Sequence, residues 1–405
     1  MRAVRARRAS SLILGVLILA GLLAGIRVGR DWPGANWAGA AADWVGGRAA
    51  PLPVAVGRGT VDPPVTAPSP ALAPPPAANP GGPAGAAAPA AAGLLSPPPT
   101  EALALPLPGC PVPPRPPPTG TAPWKPPVLV PEDQLPAPVA APEVLTADVG
   151  PVQGKGMWVW KYALTEGGDA DAIVQRAREA GLRQLWVRVG DSRSGFYGAD
   201  ILSSLVPKAH QAGLAVVGWG FPFLHDPVDD ARWSAEALAW RGPGGVALDG
   251  FSPDIELATE GVVLTERRAR VYLGLVRQAA ASRLVVATVY RPTDRLWTGS
   301  YPYTAIAEYV DAFAPMVYWG CAEPGAATAE ALERLSRLRP VHVIGQGYDA
   351  GIDGGRPGAP SAEETVRFLD VARRQGAIGA SFWVWQYIDD EQWEAMSSFP
   401  WYADT

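Results

Sequence analysis

Two carboxylates two residues apart, Asp254 and Glu256, close the stretch Asp249-Gly250-Phe251-Ser252-Pro253-Asp254-Ile255-Glu256. Successive side chains of a strand point to opposite faces, so these two share one face while Ile255 packs behind them. Like charges confined to one small space cannot both ionise freely. The environment is expected to raise one pKa toward the range in which a carboxyl serves as a general acid near neutral pH. An acidic strand end facing water has the same spacing, so the surrounding chain has to decide between the two.

Beyond residue 150, short apolar, β-branched or aromatic runs alternate with segments of helical period. The runs are Gly156–Trp160, Gln184–Val189, Ala215–Trp219, Gly250–Glu256, Leu284–Tyr290, Ala312–Tyr318, Val341–Gln346 and Ala380–Trp385. Amphipathic stretches lie between them at Asp169–Ala180, Asp229–Arg241, Thr265–Ala281, Ala327–Leu338 and Ser361–Gln375, several opened by Ser, Thr or Asp in capping positions. The links after the second and fifth runs are less clearly helical. Eight strands joined by helical crossovers predict an α/β fold, a (β/α)8 TIM barrel, over residues 151–405. No Gly-rich phosphate loop follows the first strand, which argues against a dinucleotide-binding sheet.

Active sites of such barrels form at the C-terminal ends of the strands. Here those ends carry Trp160, Arg188 and Asp191, Trp219, Asp254 and Glu256, Tyr290, Tyr318 and Trp319, Gln346, then Trp385 and Tyr387. Aromatic faces stack on sugar rings, while carboxylates, amides and phenols bond sugar hydroxyls and the scissile oxygen, so the set reads as a carbohydrate site. Alternation sends about half of the tryptophans outward into the helix layer, where they would serve packing alone.

The first 150 residues have a different character. Arg2, Arg5, Arg7 and Arg8 precede an apolar run from Leu12 to Ile26, read as an export signal over residues 1–30 that is either cleaved or kept as a membrane anchor. Residues 31–150 are Pro/Ala/Gly-rich, and 30 of the 45 prolines fall between 51 and 150. Such a segment is expected to be a disordered, semi-rigid stalk, reaching at most a couple of hundred ångströms at about 3 Å per residue. Cys110 in this stalk and Cys321 in the barrel could pair in an oxidising compartment, or remain free or intermolecular thiols. The net charge is −5 and no basic stripe is interleaved with aromatics, so nucleic acid is not an expected partner. His210, His225 and His342 have no second histidine or cysteine at ligand spacing, and neither a metal nor an organic cofactor is expected. Nothing in the sequence sets the oligomeric state.

The stretch from Asp249 to Glu256 resembles the fourth-strand signature of family 18 glycoside hydrolases, the chitinases and related N-acetylglucosaminidases, in which an Asp-Gly pair leads to a terminal Asp-x-Glu. Ser252 stands where that pattern has an acid or asparagine. Met316-Val317-Tyr318 is similar to the family's sixth-strand Met-x-Tyr, and Trp383 or Trp385 to its eighth-strand tryptophan. The close Trp385-Gln386-Tyr387 is similar instead to family 25 lysozymes, whose first-strand aspartate has no counterpart in Met157-Trp158-Val159-Trp160-Lys161.

The resemblance implies Glu256 as general acid, Asp254 orienting it and sharing its proton, and Tyr318 bonding the substrate's N-acetyl group. Asp191 is the alternative second carboxylate, with Trp160, Trp219, Trp319, Gln346, Trp385 and Tyr387 contacting sugar. The function expected from this is an exported, membrane-tethered glycosidase acting on an N-acetylglucosamine-containing polysaccharide such as peptidoglycan or chitin. A stalked barrel that binds wall polysaccharide without cleaving it, or a purely structural wall protein, would use the same tryptophans.

Overall fold

The computed structural model describes residues 128–402, apart from 300 and 354. The expected anchor, the expected stalk as far as residue 127 and Cys110 lie outside the described residues; Cys321 is not a free thiol. No helix among the described residues is long and apolar enough to cross a membrane.

Among the described residues nine strands form: β1 Gly154–Val159, β2 Gln184–Asp191, β3 Gly195–Phe196, β4 Ala215–Phe221, β5 Gly250–Ile255, β6 Leu284–Tyr290, β7 Ala312–Val317, β8 His342–Gln346 and β9 Gly379–Trp383. All neighbours pair in parallel except β3, a short antiparallel addition to β2. The order β1-β9-β8-β7-β6-β5-β4-β2, closed by β1 against β2, is an eight-stranded barrel. Each of the eight predicted strands is therefore present. Helices cover the outside: α1 Ala170–Glu179, α2 Ala199–Gln211, α3 Pro227–Ala239, α4 Glu266–Ala280, α5 Asp294–Trp297, α6 Tyr303–Ala307, α7 Pro324–Leu335, α8 Ala362–Arg374 and α9 Asp390–Ser398.

The predicted helices start where side chains cap them. Asp169, Asp226, Thr265 and Glu323 accept first-turn N–H groups, and Ser361 with Glu364 forms a capping box. The two unclear links lack these signals. Gly198 gives α2 no side-chain cap and Pro207 sits inside it, while α5 and α6 are single turns without side-chain caps.

Packing has two shells. Leu, Ile, Val and Phe fill the space between barrel and helices, whereas the barrel interior is dominated by tryptophan. Trp158 stacks on Trp186 at 4.9 Å, and lies 5.5 Å from Trp219 and 5.8 Å from Trp383. Four indoles on adjacent strands take up much of that space, with small residues such as Ala312 and Ala314 beside Val217, Leu284, Val286, Met316 and Ile344 in the rest.

Beneath the indoles runs a buried chain of polar groups. The Trp158 Nε1–H donates to Ser381 Oγ at 2.9 Å, Ser381 Oγ lies 2.9 Å from His342 Nε2, and His342 Nδ1 lies 2.7 Å from the Val152 carbonyl. A carbonyl only accepts, so Nδ1 carries the proton; Nε2 then accepts from Ser381 and the ring is neutral. Gly379 makes space for it, since a Cβ there would lie 2.3 Å from Nδ1. Burial lowers the His342 pKa from 6.5 to about 4. The native state therefore binds fewer protons than the unfolded chain between those values, and this stability is complete above pH 6.5 and lost as pH falls through 4. The shift corresponds to about 3 kcal/mol. Denaturant unfolding at pH 7.5 and 4.5 should show most of that, about 2.5 kcal/mol, as extra acid sensitivity in the wild type over His342→Gln, and equal sensitivity of the two would refute the assignment.

The folded unit starts earlier than the expected boundary at residue 150. Val130 N–H donates to the His225 carbonyl at 3.0 Å, Tyr309 hydroxyl donates to the Val139 carbonyl at 2.8 Å, and Leu135 is buried. Ala147 and Val149 then pack against the interior cluster. Composition hid this strap because its prolines continue the Pro-rich composition of the residues before it.

Candidate active site

Alternation along β5 separates two sets of side chains. Phe251 and Ile255 face the helix shell, while Ser252, Asp254 and, one residue past the strand, Glu256 share the opposite parity. At the strand's base Asp249 accepts the Val216 N–H at 2.7 Å and pairs with His210 Nε2 at 2.8 Å, which anchors the N-terminal end of β5. Ser252 Oγ donates to the Val286 carbonyl at 2.7 Å and lies 2.8 Å from Thr288 Oγ1, so it ties β5 to β6.

Asp254 and Glu256 are only 3% and 5% exposed. Asp254 Oδ1 and Glu256 Oε2 have no hydrogen-bond partner among the described residues. Burial drives both carboxyl pKa values up. For Glu256 the charges of Asp254 and Glu260 add to that rise, with the Tyr290 hydroxyl as a hydrogen-bonding neighbour that opposes it. For Asp254 the positive charge of Arg188 pulls the other way. Both carboxyls are therefore biased toward their protonated forms, with Arg188 favouring ionisation of Asp254 and the charge of Asp254 favouring the proton on Glu256.

Tyr318, half-buried just past β7, meets Tyr348 edge-on at 5.5 Å. Burial raises its pKa, and so do the neighbouring Tyr348 and the charges of Asp254 and Glu256. It stays a neutral phenol able to donate. Asp191 is 5% exposed, bonded to Arg188 Nη2 at 3.0 Å and to the backbone N–H groups of Arg193 and Ser194 at 2.9 Å each. It therefore organises the turn between β2 and β3.

The aromatic expectations divide. Trp160 lies in the interior cluster, 6.1 Å from Trp383, with Lys161 Nζ 4.5 Å above its ring. Tyr387 packs against the same cluster. Trp219 is also inside, but it is fully buried and its Nε1–H donates to the Val159 carbonyl at 3.3 Å, which makes it floor rather than open platform.

Trp319 and Trp385 face outward, a correction to their expected sugar contacts. Trp319 packs on Phe368 at 5.5 Å; Trp385 packs on Trp393 at 5.0 Å and donates to Glu166 Oε1. The reason is strand length. β9 ends at Trp383, and the following turn Trp385–Tyr387 breaks the alternation, leaving Trp383 as the inward tryptophan of that strand. In the same turn Gln386 Nε2 donates to the Lys161 carbonyl, so Trp385-Gln386-Tyr387 fastens the barrel seam. Gln346 is committed too: its amide accepts from Gly320 N–H and donates to the Tyr348 carbonyl, both at 2.9 Å.

Beyond the residues expected to act on the substrate, Arg188, Tyr290 and Glu260 act on the carboxyls, and Trp383 is the inward tryptophan of β9 beside Trp160 and Trp219. Tyr290 and Trp383 share the inward parity of their strands and were legible from alternation. Glu260 lies in a turn four residues beyond Glu256 and carries no sequence signal beyond its charge. Among the described residues no group of three or more His, Cys, Asp or Glu is arranged to hold a metal ion. Two surface cavities of about 700 and 600 Å³ lie on the helix layer, one between α8 and α9 and one along α1, away from the carboxyls.

No family model matches the chain, and no curated protein matches it. Among solved structures it is similar to a class V chitinase from Pseudomonas fluorescens Pf-5, with 13% identity over 61% of this chain and 99% of that one and a TM-score of 0.46. It is similar to a chitinase from Rhizomucor miehei, with 15% identity over 60% and 99% and a TM-score of 0.47. It is likewise similar to a spore cortex-lytic enzyme from Bacillus megaterium QM B1551, with 12% identity over 61% and 74% and a TM-score of 0.43. At these values the functional reading rests on the barrel's own side chains.

Proposed function

We propose that the chain is an exported glycoside hydrolase acting on an N-acetylglucosamine-containing polysaccharide, with peptidoglycan as the first candidate and chitin as the second. The observation that carries the reading is the buried pair of carboxyls at the end of β5, both pushed up by burial, with the charge of Asp254 adding to the rise of Glu256. A carboxyl kept protonated near neutral pH is what donating a proton to the leaving glycosidic oxygen requires. The resemblance of residues 249–256 and 316–318 to family 18 supports the same assignment.

In this reading Glu256 protonates the leaving glycosidic oxygen as that bond breaks. The substrate's acetamido oxygen attacks the anomeric carbon, so no second carboxylate nucleophile is needed. Tyr318 donates to the acetamido group, and the Asp254 carboxylate stabilises the positive charge that develops. Water then opens the cyclic intermediate and returns a proton to Glu256. Asp191, bound to Arg188 and two backbone amides, is a weaker candidate for nucleophile. Trp160 and Tyr387 are the proposed sugar contacts, with Trp383 beneath them. The N-terminal segment would anchor the chain at the outer face of a cell membrane, or release it by cleavage, and the Pro/Ala-rich stalk would carry the barrel outward.

A second reading is favoured by a specific observation: both carboxyls are nearly inaccessible and Ser252 replaces an acid, as suits a barrel that binds glycan without cleaving it. The distinguishing experiment is release of reducing ends from purified peptidoglycan and from chitin. New ends from either polymer support the hydrolase. Saturable retention on the polymers with no new ends would move the assignment to the binding module.

A further inference from the structure

The carboxyl pair is short of one device for placing its proton. Ser252, which shares Asp254's face of β5, has its hydroxyl committed to Val286 and Thr288, so it offers Asp254 no acidic partner. A positive charge stands nearby instead. In register, Arg188 of β2 is opposite Trp219 of β4, and Trp219 is opposite Ser252 of β5, which places Asp254 one inward step above that row.

Arg188 is held there from two sides. It is 9% exposed, its Nη2 is 3.0 Å from Asp191 Oδ2, and its guanidinium lies 5.4 Å from the Trp219 ring centre. Asp191 is in turn fixed by the Arg193 and Ser194 N–H groups, at the end of a strand whose register shifts between Arg188 and Gly190. A planar cation clamped between a carboxylate and an indole is pre-organised, and loses little freedom in facing a second acid.

We propose that Arg188, clamped by Asp191 and laid over Trp219, is a positioning residue for the carboxyl pair: of the two acids its charge favours ionisation of Asp254, so that the pair's last proton stays on Glu256. The proposal rests on the reading of Glu256 as general acid. Asp191 then acts through Arg188 instead of on the substrate. The other ionisable groups that act on Asp254 are Glu256 and Glu260, which oppose its ionisation, and it interacts with the phenols Tyr272, Tyr301 and Tyr318. Tyr290 and Tyr348 face Glu256. Among the described groups acting on Asp254, Arg188 supplies the positive charge.

The test is direct titration of the carboxyls in the full chain, by infrared carboxyl bands or carbon NMR, in wild type, Arg188→Met, Arg188→Lys and Asp191→Asn. Arg188→Met should raise the lower of the pair's two titrations by about one unit or more, since a close opposite charge is worth one to three. Arg188→Lys should restore most of that shift, and in a Glu256→Gln background the remaining Asp254 titration should still move. An unmoved lower titration in folded Arg188→Met overturns the proposal. If that variant does not fold, Asp191→Asn must move the same titration in the same direction, and its failure to do so overturns the proposal equally. With active protein, the acid limb of kcat/KM should follow the titration upward. Titration needs no turnover, so a chain that never cleaves glycan defeats the hydrolase reading while the charge assignment is judged separately.

Discussion

Glu256→Gln should lower kcat on N-acetylglucosamine oligomers by about a thousandfold while leaving their binding within a few-fold of wild type, since general acid catalysis contributes 10²–10⁴. The expectation follows from how little else the substitution changes. Glutamine keeps the volume and the hydrogen-bonding reach toward Tyr290 but has no proton to give the leaving oxygen. Because Glu256 is held protonated, the substitution replaces one neutral buried group with another of the same size, so the variant should be about as stable as the parent. A binding constant measured beside kcat separates the roles. Loss of binding along with kcat would mean that Glu256 only holds the sugar, and unchanged kcat would remove it from the chemistry.

Trp158→Ala should cost about 3–5 kcal/mol of stability, the range for deleting a large aromatic from a core. The site gives it no easy way to collapse. Trp158 is 1% exposed and contacts Trp186, Trp219 and Trp383, each of which is itself held by a different strand. The substitution also takes the indole donor from Ser381, at the head of the buried chain that ends on Val152. Equilibrium unfolding of the two proteins measures the difference. A cost under ~1 kcal/mol would mean that the interior repacks freely, contrary to the close packing of protein cores. Trp158→Phe, which keeps a ring but loses the N–H, should fall between them.

How far the fold was legible follows from what the residues must do locally. The eight strands announced themselves because each is an apolar run bounded by turn residues, and five helices because side chains cap or flank their starts. The α2 link was obscure because Pro207 and an uncapped Gly198 give no local signal, and α2 is held by its buried Leu202, Leu205, Val206 and Ala209. The strap from residue 128 was not legible because it shares the Pro-rich composition of the preceding residues, although backbone acceptors such as the Val139 carbonyl bind it to the barrel.

The site was legible to the extent that alternation holds. It set Asp254 and Glu256 on one face, and Tyr290, Tyr318 and Trp383 follow the same parity. Trp385 and Trp319 were misjudged because each lies beyond the last strand residue, where a turn resets direction and a helix-side pocket accepts the indole. The commitment of Ser252 to Val286 and Thr288, and of Gln346 to Gly320, could not be read, since those bonds join residues that only the closed barrel brings together, whereas Asp191 bonds within its own turn. Arg188 stood in view at the end of β2, but its value comes from neighbours on two other strands.

The account stands or falls on the action of the full chain on N-acetylglucosamine oligomers beside the same oligomers stripped of their acetyl groups, followed by the appearance of new reducing ends. Cleavage of the acetylated series alone is expected, because the acetamido oxygen is assigned the nucleophile's place and Glu256 the acid's. No cleavage of either series, or equal cleavage of both, would contradict it.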